Sequence, residues 1–184
     1  VSPMRLTLLY VGDLHGRLDR LPRAYRALAR LRADVAAAGG QSLFVCTGDT
    51  VDRTIPAAAL TGGRVALPAP ESMGVQALVP GNHDADWGPA AFTRWVASAR
   101  FPVLLANVTT VDGAHWPGTR PSLLLEVGGV KVGLIGLSSV MLANALGPEA
   151  RYVDPAPAAA REAAALRVQG ATIVIALSHL GYAY

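Results

Sequence analysis

The chain has a single cysteine, Cys46, in 184 residues, which excludes an intrachain disulfide and leaves the redox compartment unwritten in its thiols. Cys46 stands inside the apolar run 43–47 and reads as a small buried hydrophobe. No apolar run reaches the ~18 residues of a membrane span. No basic segment followed by a short apolar core, the form of a secretory leader, precedes the first strand pattern. As written, the sequence is expected to be cytoplasmic, and exported if a leader stands upstream of Val1. Charged residues are scarce at 16%, but apolar ones make up 52%, enough to offset the entropy of ordering the chain and to exclude disorder. The length suits one domain over 1–184 with one sizeable core.

A net charge of +3 raises the question of nucleic acid. No basic stretch interleaved with aromatics and no base-reading motif accompanies it, so nucleic acid is not an expected partner. Arg17, Arg20, Arg23, Arg26, Arg30 and Arg32 fall on or beside one helical pattern, whose solvated face accounts for them. What remains is a mild attraction for anionic substrates.

The pattern of elements is α/β. Leu18, Leu21, Tyr25, Leu28, Leu31 and Val35 recur every three or four residues, an amphipathic helix that Gly39-Gly40 stops. Gly62-Gly63, Pro68 and Pro70 break up the stretch between Asp52 and Val79, which reads as a variable loop. Phe92, Trp95, Val96 and Ala99 predict a second helix after Gly88-Pro89, and 103–108 a strand. Segments 123–127 and 130–137 flank Gly128-Gly129, the pair a primed hairpin turn needs. Asp154-Pro155 opens a third helix, with a capping side chain followed by proline at the first helical position.

Four apolar runs each end in chemistry. Gly12-Asp13-Leu14-His15 follows the first, Gly48-Asp49-Thr50-Val51-Asp52 the second, Gly81-Asn82-His83-Asp84 the third and Ser178-His179-Leu180-Gly181 the run 172–177. Strands ending at one sheet edge would gather carboxylate, imidazole and amide groups there, a set that suits hard and borderline divalent cations. Asp13 and His15, two apart on extended chain, point to the same side and can share an ion. Gly48 lets the backbone turn sharply before Asp49. Asp52, followed by Arg53, reads as a structural ion-pair partner, and His115 as a solvated loop residue.

These blocks, in this order, resemble the calcineurin-like metallophosphoesterases and most closely their 5'-nucleotidase branch. Asp84-Ala85-Asp86-Trp87-Gly88, the stretch from Phe101 through Asn107-Val108, and the stretch from Gly129 to Leu137 extend the likeness nearly end to end. The resemblance implies a four-layer α/β/β/α sandwich. It implies two divalent ions, manganese first, with zinc, iron or magnesium as alternatives. Asp13 and His15 would hold one ion, Asn82 and His179 the other, and Asp49 would bridge them. His83, with Asn82, would contact the phosphoryl group and assist the leaving oxygen, oriented by Asp86, or by Asp84 as in other branches. The implied reaction is hydrolysis of a small phosphorylated, nucleotide-like substrate. Cyclic nucleotides, sugar nucleotides and thiosulfate esters share the metal set, and a metal-binding protein without turnover is the rival from another class. The family also closes its site with a Gly-His-x-His block that does not occur before Tyr184. The chain is therefore expected to be incomplete in its second sheet, weak in turnover alone, and open at a sheet edge through which copies could associate.

Overall fold

The computed structural model describes residues 5–181 and stacks two sheets between layers of helices. β1 (Leu6–Val11), β2 (Gln41–Cys46) and β3 (Ala77–Leu78) form a parallel sheet in that order. In the second sheet β6 (Val130–Ser138) lies between β5 (Ser122–Val127), antiparallel to it, and β8 (Ile173–His179), parallel to it. β4 (Val108–Thr110) and β7 (Ala150–Tyr152) make a small antiparallel pair. Strand alternation builds the layers. From β2, Leu43 and Val45 face Val132, Leu134 and Leu177 of the other sheet. Phe44 and Cys46 face the helix layer, with Leu28 of α1 (Leu21–Ala37), Phe92 and Trp95 of α4 (Pro89–Ser98) and Leu142 and Leu146 of α5 (Val140–Leu146). On the far side Ile135 and Leu137 pack on Leu166 of α6 (Pro155–Val168). Among the described residues these three cores lie between four layers, the α/β/β/α sandwich, and a smaller cluster of Val51, Ala58 and Ala66 lies apart from them.

Several elements depart from the sequence reading. The stretch expected as a loop contains α2 (Pro56–Thr61) and α3 (Pro68–Ser72). Its prolines sit in the first turn, where the missing N–H costs nothing, and Gly62 ends α2 in the left-handed conformation. Residues taken as breakers are here starts and stops. The segment 103–108 is not one strand, because it passes from one sheet to the other. The Leu104 N–H donates to Leu78 in the first sheet, and the Ala106 N–H to Gly136 in the second. Gly136 permits the crossing, since a Cβ there would lie 2.2 Å from the Leu104 carbonyl oxygen. On α1 only Leu28 is fully buried, while Tyr25 and Leu31 are each 49% exposed. Arg32 leaves the solvated set to donate to the Met73 carbonyl and to lie over the Phe44 ring. The helix α5 has no counterpart in the sequence reading. Among the described residues β1 and β8 have a hydrogen-bonded neighbour on one side only. No described helix is long and apolar enough to cross a membrane.

The opening of α6 is as expected, with the Asp154 carboxylate accepting from the Ala156 N–H at 2.9 Å. Asp154→Ala is expected to lower the unfolding free energy by about 1 kcal/mol, read from the urea midpoint. An unchanged midpoint would show that this cap contributes nothing.

Candidate metal centre

The parallel strands β1, β2 and β3 end at one edge, and β8 ends beside them. The loops that follow are laced backbone to backbone. The Asp13, His15 and Gly16 N–H groups donate to the Gly48, Asp49 and Thr50 carbonyls at 3.0, 2.9 and 3.1 Å. Gly48 and Gly81 lie so close that a Cβ on Gly48 would stand 2.3 Å from the Gly81 nitrogen. Asp13, His15 and Asp49 all take the left-handed backbone conformation, at φ of 53°, 45° and 49°. For residues with a Cβ this conformation costs about 1–3 kcal/mol each, a strain that persists only where the surroundings enforce it and that clusters at functional sites.

Asp49 is the hub. It is 3% exposed, with its Oδ2 3.7 Å from His15 Nε2 and 3.3 Å from His179 Nε2, while its Oδ1 accepts from the His83 N–H at 2.9 Å. Ligand atoms of Asp13, Asp49 and His179 gather within 4.8 Å of one another, as do those of His15, Asp49 and His83. Asp13 Oδ1 is also 3.8 Å from His15 Nε2. Asn82 follows Gly81 at the head of the short turn His83–Ala85, half-buried.

Of the two hub-facing imidazoles, His179 is held from behind by a hydrogen bond and His15 has a carboxylate nearby. His179 Nδ1 lies 2.6 Å from the Thr47 carbonyl oxygen, which requires the proton on Nδ1 and leaves Nε2 for the site. His15 Nδ1 faces Asp52 Oδ2 at 3.5 Å. An imidazole whose far nitrogen is tied to a carbonyl or carboxylate is in the form in which histidine ligates metal. Oxygen and nitrogen donors in two clusters that share one carboxylate, without thiolate, fit two hard or borderline divalent cations.

His83 is tied differently. Its Nδ1 lies 2.9 Å from Asp86 Oδ2, and Arg53 donates to the other oxygen of that carboxylate at 2.9 Å. The His83 ring meets that of His15 edge-on, with centroids 5.1 Å apart. Burial alone would lower the His83 pKa, but the bond to Asp86 and the charges of Asp49, Asp86 and Asp52 raise it above the ordinary value. Burial would raise the Asp86 pKa, and Arg53 and His83 reverse that to a net lowering. Asp84, the other candidate partner of His83, is 1% exposed and bonds instead to the loop around Asp49. Burial pushes its pKa up to about 6 against the bonds from Thr50 and Gly81, and three N–H groups donating to its two oxygens suit the carboxylate form.

The sequence reads Asp52 as a structural ion-pair partner without fixing its mate. The structure sets Arg53 on Asp86 and Asp52 behind His15. The spacing of Asp52 three residues after Asp49 was the available signal, but which neighbour it faces depends on how the loops fold. His115 is exposed, away from the centre, and Cys46 is fully buried, where burial pushes its thiol up to about 12.

The pair of His179 and Asp49 carries a pH signature. Its bond to Asp49, opposed by burial, raises the His179 pKa to about 9 from the ordinary 6.5. A histidine raised by folding stabilises fully below the unfolded value and loses that contribution as pH rises through the folded one. In excess chelator the urea midpoint is therefore expected to fall between pH 6.5 and 9, and His179→Gln to reduce that fall, leaving the share due to His83, whose pKa is also raised. A midpoint flat across this window in the parent chain would contradict the pairing.

Residues 6–180 match the calcineurin-like phosphoesterase family. The chain is 28% identical over 193 residues to the 5'-nucleotidase of Vibrio cholerae, covering 97% of this chain and 34% of that protein. It is 27% identical over 202 residues to the 5'-nucleotidase of Diplobatis ommata, at 98% and 34% coverage. Among solved structures it superposes on a 5'-nucleotidase precursor from Thermus thermophilus with a TM-score of 0.82 and 26% identity, covering 96% of this chain and 37% of that one. The chain thus spans about a third of the length of the relatives it matches.

Proposed function

The chain belongs to the calcineurin-like phosphoesterase family, in its 5'-nucleotidase branch, and on that premise we propose that it hydrolyses the phosphate monoester of a small nucleotide-like substrate with two divalent ions. Manganese is the first choice, and zinc, iron and magnesium are compatible with the donors. The observation that carries the reading is the position of Asp49, whose one buried carboxylate oxygen, Oδ2, lies near both His15 Nε2 and His179 Nε2. When bound, two such ions supply charge for the phosphoryl oxygens and make water a usable nucleophile near neutral pH.

The protein's part is geometric. By the family pattern Asp13 and His15 would hold one ion and Asn82 and His179 the second, with Asp49 available to both; the Asp13 carboxylate also lies within reach of the Asp49 and His179 ligand atoms. The Thr47 carbonyl keeps the His179 imidazole turned with Nε2 inward, and the Asp52 carboxylate lies 3.5 Å from His15 Nδ1, on the ring's far side from the hub. His83 stands beside the centre with Nδ1 fixed on Asp86, so its Nε2 is the atom free to carry a proton. Against burial, the bond to Asp86 and the charges of Asp49, Asp86 and Asp52 raise its pKa, which favours the protonated ring that can donate to the departing oxygen. Asn82, one residue before it, contacts the same phosphoryl group. Asp86 stays ionised between Arg53 and His83 and supports the positive ring.

The test is manganese content after dialysis, followed by phosphate release from adenosine monophosphate and from p-nitrophenyl phosphate. Folded protein that retains manganese and releases phosphate only in its presence supports the reading. Folded protein without bound manganese or zinc contradicts it.

A further inference from the structure

Asp84 is the most fully satisfied buried acid in the chain, and the mechanism does not use it. Its Oδ2 accepts from the backbone N–H of Asp49 at 2.9 Å and of Gly81 at 2.8 Å. Its Oδ1 accepts from the Thr50 N–H at 3.0 Å and the Thr50 hydroxyl at 2.6 Å. Two successive N–H groups that converge next to a left-handed residue form a concave anion seat. Here the anion is a side chain of the protein. It touches neither loop's ligand atoms, yet it joins the backbone that carries Asp49 to the backbone that leads into Asn82. The space between those backbones is closed, since a Cβ on Gly81 would stand 2.6 Å from the Asp49 nitrogen. The loops therefore have one register, and Asp84 is the charge that holds it.

We infer that Asp84 is a positioning residue that fixes the left-handed turn at Asp49, and that it thereby sets the direction of the bridging carboxylate and the pairing of two bound ions. This rests on the two-ion reading above. An uncharged amide at position 84 cannot serve the same donors. One end of it is an NH2 group that would point a donor at N–H groups, leaving Asp49 and Gly81, or Thr50, without an acceptor. Asp49 would then be free to relax from φ 49° toward ordinary backbone, swinging its carboxylate away from one of the two clusters.

The test compares the parent chain, Asp84→Asn and Thr50→Val, each loaded with manganese and checked for native near-ultraviolet circular dichroism. Thr50→Val removes only the hydroxyl bond and keeps the backbone ones. The readouts are manganese affinity by titration calorimetry and the electron paramagnetic resonance spectrum, which separates a coupled pair of ions from isolated ones. The parent is expected to give a coupled pair. Asp84→Asn is expected to bind the weaker ion about 10–100-fold less tightly and to show isolated-ion lines, with Thr50→Val in between. A folded Asp84→Asn with a coupled pair at parental affinity would overturn the inference alone. If Asp84→Asn does not fold, Thr50→Val decides, and parental affinity and spectrum in it would reduce Asp84 to a structural role. A parent chain that holds no ion would overturn the two-ion reading, and this inference with it.

Discussion

Asp49→Asn is expected to lose both ions, with apparent manganese affinity lowered by more than about a hundredfold, because an amide can neither bridge nor neutralise two cations. The substitution is nearly isosteric, so the fold should survive it. The amide oxygen can still accept from the His83 N–H in place of Asp49 Oδ1, and the closed packing against Gly81 is unchanged in volume. What disappears is the negative charge between His15 and His179. A second signature follows from this. The His179 pKa, raised to about 9 chiefly by Asp49, should drop back toward the ordinary histidine range in chelated protein, observable by NMR titration of the ring. Manganese content equal to the parent, or an unmoved His179 titration, would remove Asp49 from the hub.

His83→Asn should do the reverse, cutting phosphate release by about 10²–10⁴-fold, the usual worth of a positioned general acid, while manganese content stays at the parental level. The separation is physical. His83 Nδ1 is occupied by Asp86 and its backbone N–H supports Asp49, and the backbone contact survives the change of side chain. Asparagine can keep a polar contact at the ring's position but cannot deliver a proton. Loss of manganese equal to that in Asp49→Asn would place His83 among the ligands. Turnover equal to the parent would take it out of the reaction.

The strand ends were legible because each closes an apolar run with a turn-forming residue and then a ligand-type one, so Asp13, His15, Asp49, Asn82, His83 and His179 could all be picked out in the sequence. The helix opening at Asp154-Pro155 and the Gly128-Gly129 hairpin were legible for the same local reason. What could not be read is set by contacts between distant segments. Asp84 and Asp86 are chemically identical and two residues apart, and only the short turn His83–Ala85 decides that one turns down onto the Asp49 loop and the other turns to His83. The Thr47 carbonyl behind His179 is a backbone group with no sequence signal, brought there by a separation of 132 residues. The crossing of 103–108 between sheets was likewise hidden, because its apolar run is that of a strand while its hydrogen bonds are divided between two partners. Between Asp52 and Val79 the misreading was one of weight, since proline and glycine mark helix ends as well as loops.

The most direct measurement is a crystal structure of the manganese-soaked chain with data collected at the manganese absorption edge. Two anomalous peaks about 3.5–4 Å apart, one on either side of the Asp49 carboxylate, with His15 against one and His179 against the other, are the predicted result. A single peak, or a pair to which Asp49 contributes no oxygen, would contradict it.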